Sequence, residues 1–245
     1  MKNEVANDIA NYIEKQGIKV NDVYFDNICR DVNNYFDMSH LPLRAYTKYI
    51  DLTKSSSGIS TLMNEISEHI DLNNNVLVTR SSNEDNLYIA SSIIGKYIGD
   101  CIIKDKRIHK ILYIDTPLLL SDYKKLMDLA NNINPPVLFH DMETINKDIY
   151  WYDYVIWDRF NCINSGYDLN KLHEIIHHRY LNLCGNLFFI VGKSIDERVS
   201  GITETLKSSM AISTQFILLN DKCAYKNTEQ YDLLTNQETN KEVEG

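Results

Sequence analysis

The sequence predicts an α/β protein: a five-stranded parallel sheet with helices on both faces, preceded by a helical hairpin. Two observations carry this reading. Five short apolar runs recur along the chain, NVLVT (75–79), KILYID (110–115), YDYVIWD (152–158), NLFFIVG (186–192) and TQFILLN (214–220), and segments of helical periodicity separate them. The length, 245 residues with 44% hydrophobic content, suffices for one sizeable core and a small accessory region.

The elements follow in order. Residues 3–15 place Val5, Ile9 and Tyr12/Ile13 at helical spacing, and a second pattern places Val23, Ile28, Val32 and Tyr35/Phe36 on one face. Gly17 and Asn21-Asp22 are stop and start signals between the two. This region, 1–40, is too short to bury much alone, so it docks on its own domain or on a partner. Pro42 breaks the pattern. The α/β domain spans 41–225. Its helices are expected around Ile59–Ile66, over Leu87–Ile98, from Pro117 to about Asn131, over 168–182 and over 195–209. The stretch 226–245 is polar and acidic and is expected to be a disordered tail.

A formal net charge of −9 argues against a broad basic face for nucleic acid. The one basic turn, KDKRIHK, supplies Lys104, Lys106, Arg107 and Lys110 as nucleic-acid candidates, with a solvated turn as the plainer reading. Weak or indirect binding of single-stranded DNA with a shallow salt dependence is expected. No apolar run is long enough to span a membrane and the N-terminus has no apolar centre, so a cytoplasmic protein is expected. The five cysteines form no C-x-x-C pair. His173 and His177 have i, i+4 spacing but lack an accompanying ligand motif, so no metal is expected. Tyr150, Trp151, Tyr152 and Tyr154 open the third apolar run. Alternation would place Tyr152 and Tyr154 on one face, as sheet packing.

The stretch NVLVTRSSNEDNLYIASSIIGKYI has the frame of a phosphate-binding strand–loop–helix unit. Its loop is Arg80-Ser81-Ser82-Asn83-Glu84-Asp85-Asn86-Leu87, of the length that G-x-x-x-x-G-K-[ST] would occupy. Arg80, Asn83, Asp85, Asn86 and Leu87 therefore stand in a degenerate phosphate loop with no glycine, no lysine and no closing hydroxyl. Glu84 and Asp85 would oppose a phosphate by about a few kcal/mol.

The segment HLPLRAYTKYIDLTKSSSGISTLMNEISEHIDLNNNVLVT, with Leu41-Pro42-Leu43-Arg44, resembles the leading segment of the bacterial replicative-helicase loaders, the DnaC/DnaI-like branch of the AAA+ ATPases. YDYVIWDRF resembles their Walker B strand, and the helix carrying Ile175-Ile176…Arg179-Tyr180 with NLFFIVGKS resembles the helix and sensor-1 strand that follow. The resemblance covers about residues 41–220 and implies an AAA+-like core.

It also implies roles. Asp158 matches the first Walker B acid, Arg159 replaces the second, and Lys193 lies at the sensor-1 position. A cation at Arg159 cannot polarise an attacking water. The arginine-rich stretch of the loaders is replaced by TETLKSSM, and Arg198 lies upstream of it. The pattern implies a non-catalytic pseudo-ATPase with no cofactor, of phage or mobile-element type, whose partner is a replicative DNA helicase or another replisome protein. The alternatives are an ATPase with an altered site using Arg80 or Lys193 as phosphate ligands, and a loader mimic that inhibits host replication. In the loaders N-terminal helices engage the helicase, so Val5, Ile9, Ile13, Ile28, Val32, Tyr35 and Phe36 are the partner-binding candidates, with docking on the chain's own core as the alternative. On the first reading, deleting residues 1–38 leaves a folded core.

Overall fold

The computed structural model describes residues 2–42, 64, 66–70, 75–80, 86–128, 137–160, 166–191, 214–219, 225–228, 231–232 and 237–238. Expectations for Leu43-Arg44, the loop 81–85, the helix over 195–209 and Lys193 lie outside these residues.

Five strands form a parallel sheet: β1 (Asn75–Arg80), β2 (Ile111–Asp115), β3 (Tyr154–Asp158), β4 (Gly185–Val191) and β5 (Thr214–Leu219). Their spatial order is β2-β3-β4-β1-β5, and β6 (Tyr225–Thr228) joins β5 antiparallel. β7 (Tyr231–Asp232) and β8 (Gln237–Glu238) form a separate two-stranded sheet. The expectation of disorder from residue 226 is corrected over these stretches. β6 takes up the outward hydrogen-bonding edge that β5 would otherwise leave open.

Alternation along the strands loads both faces of the sheet. Val76, Val78, Ile111, Tyr113, Tyr154, Ile156, Leu187 and Phe189 point to one core, and Leu112, Ile114, Val155, Trp157 and Phe188 to the other. The second face is covered by α5 (Thr116–Met127), α6 (Met142–Trp151) and α7 (Gly166–Leu181). Asp115 caps α5, its carboxylate accepting from the Leu118 N–H at 3.2 Å, with Pro117 in the first turn. α5 ends at Met127, short of the expected Asn131.

α6 was not foreseen. Met142, Ile145 and Ile149 give it a buried stripe behind an Asp141 cap. Tyr150 and Trp151 belong to this helix, and β3 begins only at Tyr154. Tyr152 packs in the second core and Tyr154 in the first, so the expected common face is corrected: Tyr152 caps a helix, where strand alternation does not apply.

The first face is covered by α4 (Asn86–Ile103), by a helical turn α3 over 66–70, and by the hairpin α1 (Lys2–Lys15) and α2 (Asp22–Met38). Val5, Ile9, Ile13, Ile28, Val32 and Phe36 are at most 2% exposed and lie in one core with Ile93, Ile94, Tyr97 and Ile98 of α4. Tyr35 packs against the same core, partly buried. The partner-binding expectation for these faces is corrected. α4 is apolar almost all round, so one stripe faces the sheet and the other needs a cover, which the hairpin supplies. Gly99 permits the close approach: a Cβ there would stand 3.2 Å from the Tyr12 ring. The end of α2 also shields the sheet's other edge. The Tyr113 N–H of β2 donates to the Ser39 carbonyl at 2.9 Å, and the Tyr152 hydroxyl donates to the Met38 carbonyl at 2.9 Å.

Candidate functional site

The C-terminal ends of the parallel strands bring Asn86, Tyr113, Asp115, Asp158 and Arg159 together. β2 and β3 run in register, so Asp115 and Asp158 lie side by side at the strand ends, and α4 starts beside them at Asn86. Asp158 is buried, and both of its carboxylate oxygens are taken by protein donors. Asn86 Nδ2 donates to Oδ1 at 2.8 Å and the Tyr113 hydroxyl to Oδ2 at 2.7 Å. Arg159, in a left-handed conformation (φ 51°), turns its guanidinium onto the Asp115 carboxylate as an ion pair.

Burial pushes the Asp158 carboxyl above the ordinary carboxylate range; the Tyr113 and Asn86 bonds oppose this, Asp115 adds to it, and Arg159 counters. Burial beside Asp158 likewise holds the Tyr113 phenol well above its ordinary range. Asn86 Oδ1 and Thr116 Oγ1 are buried with no hydrogen-bond partner.

Among the described residues, this donor set lacks the lysine and the second acid after β3 that a magnesium-bound nucleotide would meet in a phosphate-loop enzyme. The lysine position of the loop holds Asn86, Asp158 has no unengaged oxygen, and the neighbouring position carries a cation already paired with Asp115. Among the described residues no group of three His, Cys, Asp or Glu is placed to hold a metal. The arrangement staples the start of α4 to the ends of β2 and β3.

The raised carboxyl gives a signed expectation. The folded state holds the Asp158 proton more tightly than the unfolded chain does. Its contribution to stability is therefore full below the ordinary carboxylate range and is lost as pH rises through the raised value. Asp158→Asn, which keeps an acceptor for Asn86, should melt higher than wild type at neutral pH, and the difference should vanish in acid. A lower melting temperature at neutral pH would contradict this account.

The other sequence candidates are dispersed. Arg80 ends β1, Leu87 is half-buried against the first core, and Asn83, Asp85 and Lys193 lie outside the described residues. Lys104, Lys106, Arg107 and Lys110 are exposed on the turn between α4 and β2. Asp153 neutralises part of that turn, accepting from the Lys110 N–H at 2.8 Å with Arg107 at 3.8 Å and His109 at 3.7 Å. His173 and His177 stack on α7 with ring centroids 5.7 Å apart.

Sequence reading missed a second polar cluster at the opposite ends of the strands. Arg179 is fully buried. Its Nε donates to Asn186 Oδ1 at 2.8 Å, Nη1 to the carbonyls of Ile149 (2.9 Å) and Tyr152 (3.0 Å), and Nη2 to Gly185 (2.7 Å). Asn186 also accepts from the Trp157 indole at 3.0 Å and donates to Asn75 at 2.9 Å. Burial pulls the Arg179 pKa down to about 10, which leaves it a cation at neutral pH.

The strand order β2-β3-β4-β1-β5, with helices on both faces and an acid closing β3, defines a parallel α/β core. The particular likeness is to the crystal structure of the DnaC helicase loader: TM-score 0.53 and 14% identity, over 72% of this chain and 99% of that one. At this identity the likeness establishes the fold. The replication initiator DnaA bound to AMPPCP and single-stranded DNA aligns with TM-score 0.48 and 12% identity over 74% of this chain and 50% of that one. AMPPCP-bound DnaA from Aquifex aeolicus aligns with TM-score 0.48 and 12% identity over 75% and 52%. This chain spans about half the length of those DnaA chains. No family model matches the sequence, and no curated protein is significantly similar to it.

Proposed function

We propose that this chain is a DNA-replication factor of the helicase-loader type that keeps the AAA+ core and has given up nucleotide hydrolysis. The observation that carries the second half is the state of Asp158: Asn86 and Tyr113 occupy both oxygens, and Arg159 stands where a second acid would polarise water. The first half rests on the fold shared with the DnaC loader. The partner is a replicative DNA helicase or another replisome protein, in the cytoplasm, and single-stranded DNA is touched weakly or indirectly.

Because the hairpin faces are buried, partner contact falls to other apolar side chains. Among the exposed large apolar side chains, Val137 (87% exposed) and Phe139 (61% exposed) lie two positions apart in a segment held by hydrogen bonds. The fully buried Asp122 carboxylate fixes their segment, accepting from the N–H groups of Phe139 and His140 at 2.9 Å, and Lys125 donates to the Val137 carbonyl at 2.8 Å. A surface held this rigidly loses little entropy on binding.

Two measurements test the reading. Calorimetric titration with Mg-ATP should give no binding heat at millimolar nucleotide; micromolar affinity would overturn the pseudo-ATPase assignment. The full chain should retain the replicative helicase of its native host in a pull-down, and Val137→Ser with Phe139→Ser should lose it while melting normally. Failure of the wild-type chain to retain the helicase would overturn the loader-type assignment.

A further inference from the structure

A cleft of about 330 Å³ opens between α1, α3 and α4. It is remote from the strand-end cluster. Lys96, on its wall, lies ten residues along α4 from Asn86, about 15 Å by helical rise. Its floor is a closed polar ring. Lys96 Nζ donates to Asp100 Oδ2 at 2.6 Å and to the Tyr12 hydroxyl at 3.0 Å, and that hydroxyl donates to Asp100 Oδ1 at 2.7 Å. Lys96 and Asp100 are nearly buried and neutralise each other. Each Asp100 oxygen accepts one bond in the ring, and the Lys96 ammonium has three donors of which the ring uses two.

Ser67 of α3 adds a second, independent observation. It is 6% exposed, it lines the cleft, and its Oγ has no hydrogen-bond partner. A buried hydroxyl left alone costs about 1–3 kcal/mol, so its retention calls for a ligand or a water. Lys104 and Lys106 stand at the rim against one acid, Glu68. With the Lys96–Asp100 pair cancelled, Lys104 and Lys106 against Glu68 leave the lining side chains with a net positive charge.

We infer that this cleft binds a small oxyanion-bearing molecule, a phosphomonoester or a carboxylate, with Ser67 and Lys96 contacting the anionic group and Lys104 and Lys106 closing over it. The volume lies at the small end of metabolite pockets and exceeds what a bare inorganic ion fills. Because α1 and α4 both form the walls, occupancy also tightens the hairpin onto the core.

The test is calorimetric titration of the full chain with three probes: inorganic phosphate, glycerol 3-phosphate and citrate. Saturable one-to-one binding of at least one is expected, and the preferred probe separates phosphate ester from carboxylate. Ser67→Ala removes the orphaned hydroxyl without disturbing the ring, so it should fold as wild type and weaken binding about tenfold. Lys104→Gln with Lys106→Gln, on the exposed rim, should weaken it and flatten its salt dependence. Absence of saturable binding for all three probes in the millimolar range overturns the proposal. So does binding that both variants leave unchanged.

Discussion

A chain lacking residues 1–38 is expected to aggregate or to lose its cooperative melt. The hairpin does not decorate a finished domain. Its stripe of Val5, Ile9, Ile13, Ile28, Val32 and Phe36 lies in one core with α4, with Ile9 and Phe36 against Gly95 and Tyr12 and Ile9 against Gly99. Truncation would uncover that side of α4 and remove the six buried side chains of the stripe from the core, each worth about 1.5–3 kcal/mol of burial. That sum is comparable to the whole stability of a domain, about 5–15 kcal/mol. A single substitution gives a graded version: Ile9→Ala should lower the unfolding free energy by about 2–5 kcal/mol. Ile9→Asp should cost more, because it buries a carboxylate with no partner. Denaturant unfolding measures both. A soluble truncated core that melts cooperatively near the wild-type temperature would mean that α4 needs no cover.

Arg179→Met should destabilise the protein by about 3–5 kcal/mol, since several buried acceptors each lose a donor at about 1–3 kcal/mol apiece. The guanidinium ties the end of α6, through Ile149 and Tyr152, to the start of β4, through Gly185 and Asn186. Methionine fills the space and supplies no donor. Arg179→Lys should recover only part of the loss, because an ammonium cannot reproduce a planar fork that reaches both elements. Trp157 reports on the change, for its indole shares the Asn186 amide oxygen with Arg179. Its emission should shift toward that of an exposed indole at lower denaturant in the variant. Unchanged unfolding would show that water satisfies these acceptors without the arginine.

The difference between what could and could not be read from the sequence is visible residue by residue. The five apolar runs specified five parallel strands to within two residues at either end, because alternation and length are local properties of a strand. Asp158 was legible as the acid that closes a strand, and the missing glycines and lysine of the loop were legible as absences. Asn86 and Tyr113 were not legible as its partners. They lie 72 and 45 residues from Asp158, and a hydrogen bond over that separation leaves no spacing signal. α6 was hidden because its aromatic end, Tyr150-Trp151, merges with the strand that follows. Arg179 read as one residue in a helical pattern, and only the fold placed four acceptors around it.

By itself, then, the sequence determined the sheet, the two amphipathic helices ahead of it and the absence of glycine, lysine and a closing hydroxyl from residues 80–87, since each depends on residue type and short-range periodicity. The tertiary structure alone decided what the apolar stripe of the hairpin faces. An amphipathic helix specifies that one side leaves water and is silent about its cover. Here α4, apolar on the side away from the sheet and notched at Gly99, supplies that surface from within the same chain, so the faces that could have met a partner meet the core instead.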